Sequence, residues 1–196
     1  MKSVMHRRDV VKVLLSDRKD LLVVAGLGST AWDMTAAGDA PLNFPLWGAM
    51  GNAAMIGLGL ALAQPARRVL VITGDGELLM GLGSLATIGV QRPPNLAVAV
   101  IDNERYSETG MQATHTASGA NLAKVALACG FRSARQVRRP AELARLRAAI
   151  HRAPGPHFAQ VKVRAEKLPL VLPPRDGALL KARFRRALLG GDADLA

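Results

Sequence analysis

Val69-Leu70-Val71-Ile72-Thr73-Gly74-Asp75-Gly76 is the stretch on which the fold turns. Its first part is short, apolar and β-branched, which predicts a parallel strand buried on both faces. Downstream, Glu77-Leu78-Leu79-Met80 opens a helix-like run to about Val90. A second apolar run, Leu96-Ala97-Val98-Ala99-Val100-Ile101, ends at Asp102-Asn103. The order is strand, acid-bearing glycine turn, helix, strand, acid-amide. In a parallel sheet both polar ends fall on the carboxyl edge, where such sheets bind ligands.

Gly74 and Gly76 permit close backbone approach to a bound group, and the helix start after them offers unpaired N–H groups to a phosphate. Asp75 supplies a hard anionic oxygen and Asn103 a neutral carbonyl oxygen. Such oxygens suit Mg²⁺ or Ca²⁺, with phosphate oxygens, water and a backbone carbonyl filling the remaining positions. Gly-Asp-Gly alone is also an ordinary strand-turn-helix junction. The Asn after the next strand is what makes the metal–diphosphate reading the sharper one.

Gly74-Asp75-Gly76 through Asp102-Asn103 resembles the thiamine diphosphate signature, and the flanking text narrows the match. Gly48-Ala49-Met50-Gly51, Gly83-Ser84-Leu85-Ala86-Thr87-Ile88 and Asn103-Glu104-Arg105-Tyr106 are similar to the diphosphate-binding domain of phosphonopyruvate and sulfopyruvate decarboxylases. The resemblance covers about residues 6–165. It implies an α/β fold of three layers, a mostly parallel sheet with helices on both faces. It also implies thiamine diphosphate and Mg²⁺ as cofactors. Asp75, Asn103 and the carbonyl of Arg105 would hold the metal. Gly74, Gly76 and the N–H of Glu77 would serve the diphosphate, with Gly28 and Ser29 beside it. The Gly48 carbonyl would accept from the aminopyrimidine, next to Ala49, and Met50 would wedge beneath the cofactor to hold it bent; otherwise Met50 is simply core. Tyr106, Thr109, Gly110, Gln112 and Thr114 match the relatives' loop that closes over the cofactor.

The chain departs from the family at several positions. Where the decarboxylases often carry Arg-Glu, it reads Thr30-Ala31, which leaves the substrate's acid group without its usual partner. Glu77 stands where a small residue is usual. An acid suits the first turn of a helix but repels a diphosphate, so its side chain is expected to point away. His115 has no family counterpart and reads either as a proton shuttle or as a solvated loop residue.

The second domain of these enzymes binds the aminopyrimidine and supplies an activating Glu, and nothing in the sequence resembles it. The expectation is therefore a separate pyrimidine-binding subunit in a hetero-oligomer that decarboxylates a small 2-oxo acid. An acetolactate-synthase-like carboligase subunit would share every motif. A non-catalytic, basic regulatory or nucleic-acid-binding protein on the same fold is the reading from another class.

Composition agrees with an α/β protein: 49% of the 196 residues are hydrophobic and only 4% aromatic. The single cysteine, Cys129, excludes a disulfide framework, a Cys-based zinc site or an iron–sulfur cluster within this chain. No apolar run reaches the about 20 residues of a membrane helix, and the N-terminus lacks a signal-peptide core, so a cytoplasmic protein is expected. The net charge of +11 is uneven: residues 1–130 carry 11 Lys/Arg against 10 Asp/Glu, residues 131–196 carry 15 against 5. With almost no aromatics for base stacking, the basic part reads as solvated helix faces rather than a nucleic-acid surface.

In order, a helix is predicted over 6–16 and a strand over 21–25. The turn Gly26-Leu27-Gly28-Ser29-Thr30-Ala31 fits G-x-G-x-x-A, but no strand ending in an acid follows about 20 residues on, against a dinucleotide site. Residues 39–45 read as a loop and 52–63 as a buried helix. Residues 104–116 read as a polar loop without period. Ser118 is the predicted cap of a helix over 120–129, stopped by Gly130. A strand over 131–137, a helix over 141–151 and a closing strand over 157–163 follow. Pro169, Pro173 and Pro174 mark the end of a domain over 1–168. The basic segment 169–196 carries an amphipathic helix over 179–189, which docks on this domain or on a partner.

Overall fold

The computed structural model describes residues 5–194. The outermost ends of both predicted segments, 1–4 and 195–196, lie outside the described residues. In chain order the elements are α1 (Arg7–Leu15), β1 (Leu22–Ala25), α2 (Ser29–Ala36), β2 (Asn43–Pro45), α3 (Ala53–Ala63), β3 (Val69–Gly74), α4 (Asp75–Met80), α5 (Ser84–Gln91), β4 (Leu96–Asp102), β5 (Arg105–Tyr106), β6 (Gln112–Ala113), α6 (Leu122–Ala128), β7 (Ser133–Val137), α7 (Leu143–Arg152), β8 (His157–Lys162) and α8 (Gly177–Leu189).

Six strands form one parallel sheet in the order β2-β1-β3-β4-β8-β7. Strand pleating sends alternate residues to opposite faces. Val23, Leu70, Ile72, Ala97, Ala99 and Val161 pack with Val10, Leu14, Met34, Leu146 and Ile150 from α1, α2 and α7. Val24, Val69, Val71, Val98, Val100 and Phe158 pack on the other face with Leu58, Leu85, Ile88 and Ala126 from α3, α5 and α6. The result is the three-layer arrangement expected, and the continuous apolar runs of β3 and β4 follow from being covered twice.

The chain runs from β1 outward to β2, then returns to place β3 on the other side of β1. The strand order reverses there, which opens a crevice at the carboxyl ends of β1 and β3.

Four local expectations are corrected. Residues 43–45, read as loop, pair with β1 as an edge strand. The helical run after Glu77 is two helices, α4 and α5, broken around Gly81; a Cβ on Gly81 would lie 1.9 Å from the carbonyl oxygen of Gly51, so backbone meets backbone there. The loop 104–116 holds an antiparallel hairpin, β5 with β6. Helix α6 starts later than predicted because Asn121, not Ser118, caps it: its Oδ1 accepts from Lys124 N at 3.0 Å. Gly130, at φ +96, is the predicted stop.

Helix α8 docks on its own domain. Asp176 caps it, and Leu180 and Phe184 are buried. The Phe184 ring lies 5.3 Å from that of Phe44 on β2, and Arg183 pairs with Asp39 through both guanidinium nitrogens, at 2.6 and 3.0 Å. No helix among the described residues is long and apolar enough to cross a membrane.

Candidate cofactor site at the carboxyl edge

Gly74 pairs with Ile101 in register, so the residues that follow, Asp75 and Asp102, emerge side by side at the carboxyl edge. Both carboxylates are buried. Oδ2 of Asp75 accepts from Thr114 Oγ1 at 2.5 Å and from Thr116 Oγ1 at 3.1 Å. Thr116 also donates to Oδ1 of Asp102 at 2.8 Å, so its hydroxyl stands between the two acids, and its single proton satisfies one at a time. Asp102 has stronger partners on β8: Lys162 Nζ lies 2.8 Å away, and Gln160 donates to Oδ2 at 2.6 Å. Lys162 also reaches Glu104, at 2.7 Å.

This asymmetry separates the two acids. Burial, with the Asp102 charge next to it, pushes Asp75 up to about 6, against the smaller opposing pull of the threonine hydroxyls. A buried carboxylate whose Oδ2 is met by neutral hydroxyls is a group that a cation would stabilise. The donor set fits a hard divalent ion: a carboxylate at Asp75 and an amide oxygen at Asn103. Oδ1 of Asn103 already accepts from Arg105 N at 2.9 Å, closing a tight turn that aims the segment, and a carbonyl oxygen keeps a second lone pair. Arg105 itself is held in the hairpin opposite Ala113. Among the described residues no cluster of three or more His, Cys, Asp or Glu is placed to hold a metal; the predicted set has only one such residue, Asp75.

Tyr106 lies against the Gly-Asp-Gly turn: a Cβ on Gly76 would meet its ring at 2.4 Å. Gly76 is thus required by the ring above it. Gly28, at φ +79, starts α2, and the carboxyl of Glu108 would lie 3.0 Å from a Cβ there. Ser29 accepts through its carbonyl from Arg7 Nη1 at 3.1 Å, and the same nitrogen pairs with the buried Asp33 at 2.7 Å. Gly48, Ala49 and Met50 sit in the exposed loop before α3, with Ala49 in the left-handed region at φ +57. Met50 is 45% exposed, so it is not core.

Glu77 turns its carboxyl back under the sheet edge. Oε2 accepts from Thr73 Oγ1 at 2.7 Å, beside Gly26, and burial raises the group above its ordinary value. Thr30 donates to Gly26 O at 2.9 Å and Ala31 belongs to the core, so neither position offers a counter-charge to a substrate's acid group. His115 is exposed on a short 3₁₀ turn.

Sequence reasoning did not single out Thr116, Gln160 or Lys162. The signal was there in the last two: polar residues at alternate positions of a strand that is otherwise buried.

Residues 27–161 match the family model described as thiamine pyrophosphate enzyme, C-terminal TPP binding domain. The chain is 35% identical to the sulfopyruvate decarboxylase subunit beta of Methanothermobacter thermautotrophicus, over 97% of this chain and 99% of that one. It is 38% identical to the phosphonopyruvate decarboxylase of Streptomyces viridochromogenes, over 76% of this chain but only 37% of that one. Among solved structures, benzoylformate decarboxylase from Polynucleobacter necessarius superposes with a TM-score of 0.69 at 19% identity, covering 85% of this chain and 34% of that one. That last likeness concerns the fold alone, and the chain spans about a third of the length of both larger proteins. With the Gly-Asp-Gly turn, the buried Asp75 and the Asn103 turn gathered at the switch point of a parallel sheet, the chain belongs to the thiamine pyrophosphate enzymes, as their C-terminal TPP-binding domain.

Proposed function

We propose that this chain is the diphosphate-binding subunit of a two-subunit, thiamine diphosphate-dependent decarboxylase acting on a small 2-oxo acid. The observation that carries the reading is Asp75: a carboxylate buried at the switch point, held by two threonine hydroxyls and raised to about 6. The end-to-end match to a protein named as a decarboxylase beta subunit supports the two-subunit form.

In this reading Asp75, Asn103 and the Arg105 carbonyl would hold Mg²⁺, which would supply positive charge to a diphosphate at the sheet edge. Gly74, Gly76 and the Glu77 N–H give the phosphates a close backbone surface, with Gly28 and Ser29 across the crevice. When bound, thiamine diphosphate supplies the electron sink that lets a 2-oxo acid lose CO₂. The work of this chain is to bind and orient. Gly48 through its carbonyl, with Ala49 beside it, would hold the aminopyrimidine end, and the exposed Met50 would support the cofactor. The glutamate that activates the aminopyrimidine comes from the partner subunit.

Calorimetric titration of thiamine diphosphate with Mg²⁺ into the chain, alone and with a pyrimidine-binding partner, tests this. Binding that needs both the partner and Asp75 supports the split enzyme. Full affinity and 2-oxo acid decarboxylation by the isolated chain would overturn the two-subunit reading. No binding by a folded protein in either arrangement would overturn the cofactor assignment.

A further inference from the structure

Three loops meet at one carboxyl group. Oε2 of Glu77, bonded to Thr73 Oγ1 at 2.7 Å, stands 1.7 Å from the point where a Cβ on Gly26 would be. Backbone groups of Gly51, Gly74 and Leu27 also approach this carboxyl. The turn after β1, the loop before α3 and the Gly-Asp-Gly turn are therefore all within its reach. Yet Oε1 is buried without a hydrogen-bond partner. A buried, unpaired carboxylate oxygen carries an uncompensated desolvation cost. The same three loops contain Gly28, Ser29, Gly48, Gly74 and Gly76, the residues assigned above to the cofactor.

We propose that Glu77 is an internal anion of the cofactor cradle that sets cofactor affinity: its carboxyl occupies the meeting point of the three loops and turns out of it when the diphosphate binds. This rests on the diphosphate-binding reading of the site. The physical basis is that two anions brought to one poorly solvated place repel. The incoming diphosphate thus works against a charge that a small residue at this position would not present. Backbone donors in the three loops are the common resource for which the two anions compete. The alternative role, in which Glu77 joins Asp75 as a metal ligand, predicts the opposite effect of removing it.

The test titrates inorganic pyrophosphate with Mg²⁺, and separately thiamine diphosphate with Mg²⁺, into the full chain with its partner subunit. Wild type, Glu77→Gln and Glu77→Ser are compared, with near-UV circular dichroism confirming the fold of each. Gln keeps the shape and removes the charge; Ser removes both. Both variants are expected to bind pyrophosphate about tenfold tighter than wild type, a difference of about 1.4 kcal/mol. Unchanged affinity in both folded variants would overturn the proposal and leave Glu77 a structural clamp, with the cofactor assignment intact. Weaker binding would overturn it in favour of a metal ligand. Failure of all three folded proteins to bind either ligand would overturn this inference together with the reading on which it rests.

Discussion

The two edges of the sheet use buried polar side chains in opposite ways. At the amino edge they are taken up largely by the main chain. Asn95 donates to the carbonyls of Ala61, Gln64 and Arg67 at 2.8–3.0 Å. Arg68 reaches the carbonyls of Pro94, Ala149, Ile150 and Ala153 and so closes the end of α7. His157 lies between Ser133 Oγ and the carbonyl of Ala153. At the carboxyl edge, buried polar groups face one another instead. Asp75 and Asp102 share Thr116, and one oxygen of Glu77 has no partner. The first edge is satisfied by folding; the second leaves a carboxylate oxygen of Glu77 unsatisfied and two acids sharing one hydroxyl.

The largest test of that contrast is Asp75→Ala. Affinity for thiamine diphosphate with Mg²⁺, measured by calorimetry, should fall by about 100-fold or more, as expected for a ligand rather than its support. The thermal midpoint should hold or rise, because a destabilised buried acid has been removed. A marked drop in midpoint would break the comparison. Asn95→Ala should do the reverse: about 2–3 kcal/mol of stability lost in urea unfolding, from three carbonyls left without their donor, with cofactor affinity unchanged.

Thr116→Val sharpens the picture at smaller scale. Removing the hydroxyl between the two acids should cost about 1 kcal/mol of stability, and loss of its hydrogen bond should raise Asp75 further, weakening metal binding near pH 6 more than at pH 8. An affinity loss equal at both pH values would show that Thr116 acts only by shape. The smallest effect concerns His157, which burial holds below its ordinary value of 6.5. Between 6.5 and the lowered folded value the unfolded chain binds more protons, so stability falls as pH falls through that window. Comparing His157→Gln with wild type by urea unfolding at pH 7.5 and 5.5 isolates it: the pH-dependent loss should be smaller in the variant.

Much of this was legible in the residues because local pattern and final environment agree. Strands β1, β3 and β4 are apolar runs that need cover on both faces, and the sheet covers them. Asp75 and Asn103 stand just after two such runs, so their common edge follows from parallel pairing. What was not legible depends on distant partners. Residues 43–45 become a strand only because the edge of β1 is there to pair with. The 3₁₀ turn over 115–118 delivers Thr116 to two acids far away in sequence, which no spacing announces. Asn121 took the cap from Ser118 because the chain was still in that turn. Glu77 was expected to point away because it would repel a diphosphate; that its carboxyl lies against Thr73 and Gly26 depends on a loop far upstream, which no local pattern announces.

One contact also carries a consequence for how such a site can change over generations. Gly51 and Gly81 touch backbone to backbone, with no room for even a methyl group on the second. A mutation at either codon is therefore not judged by itself: a side chain at 81 needs the 48–51 segment to retreat. The two stretches are heritable only as a pair.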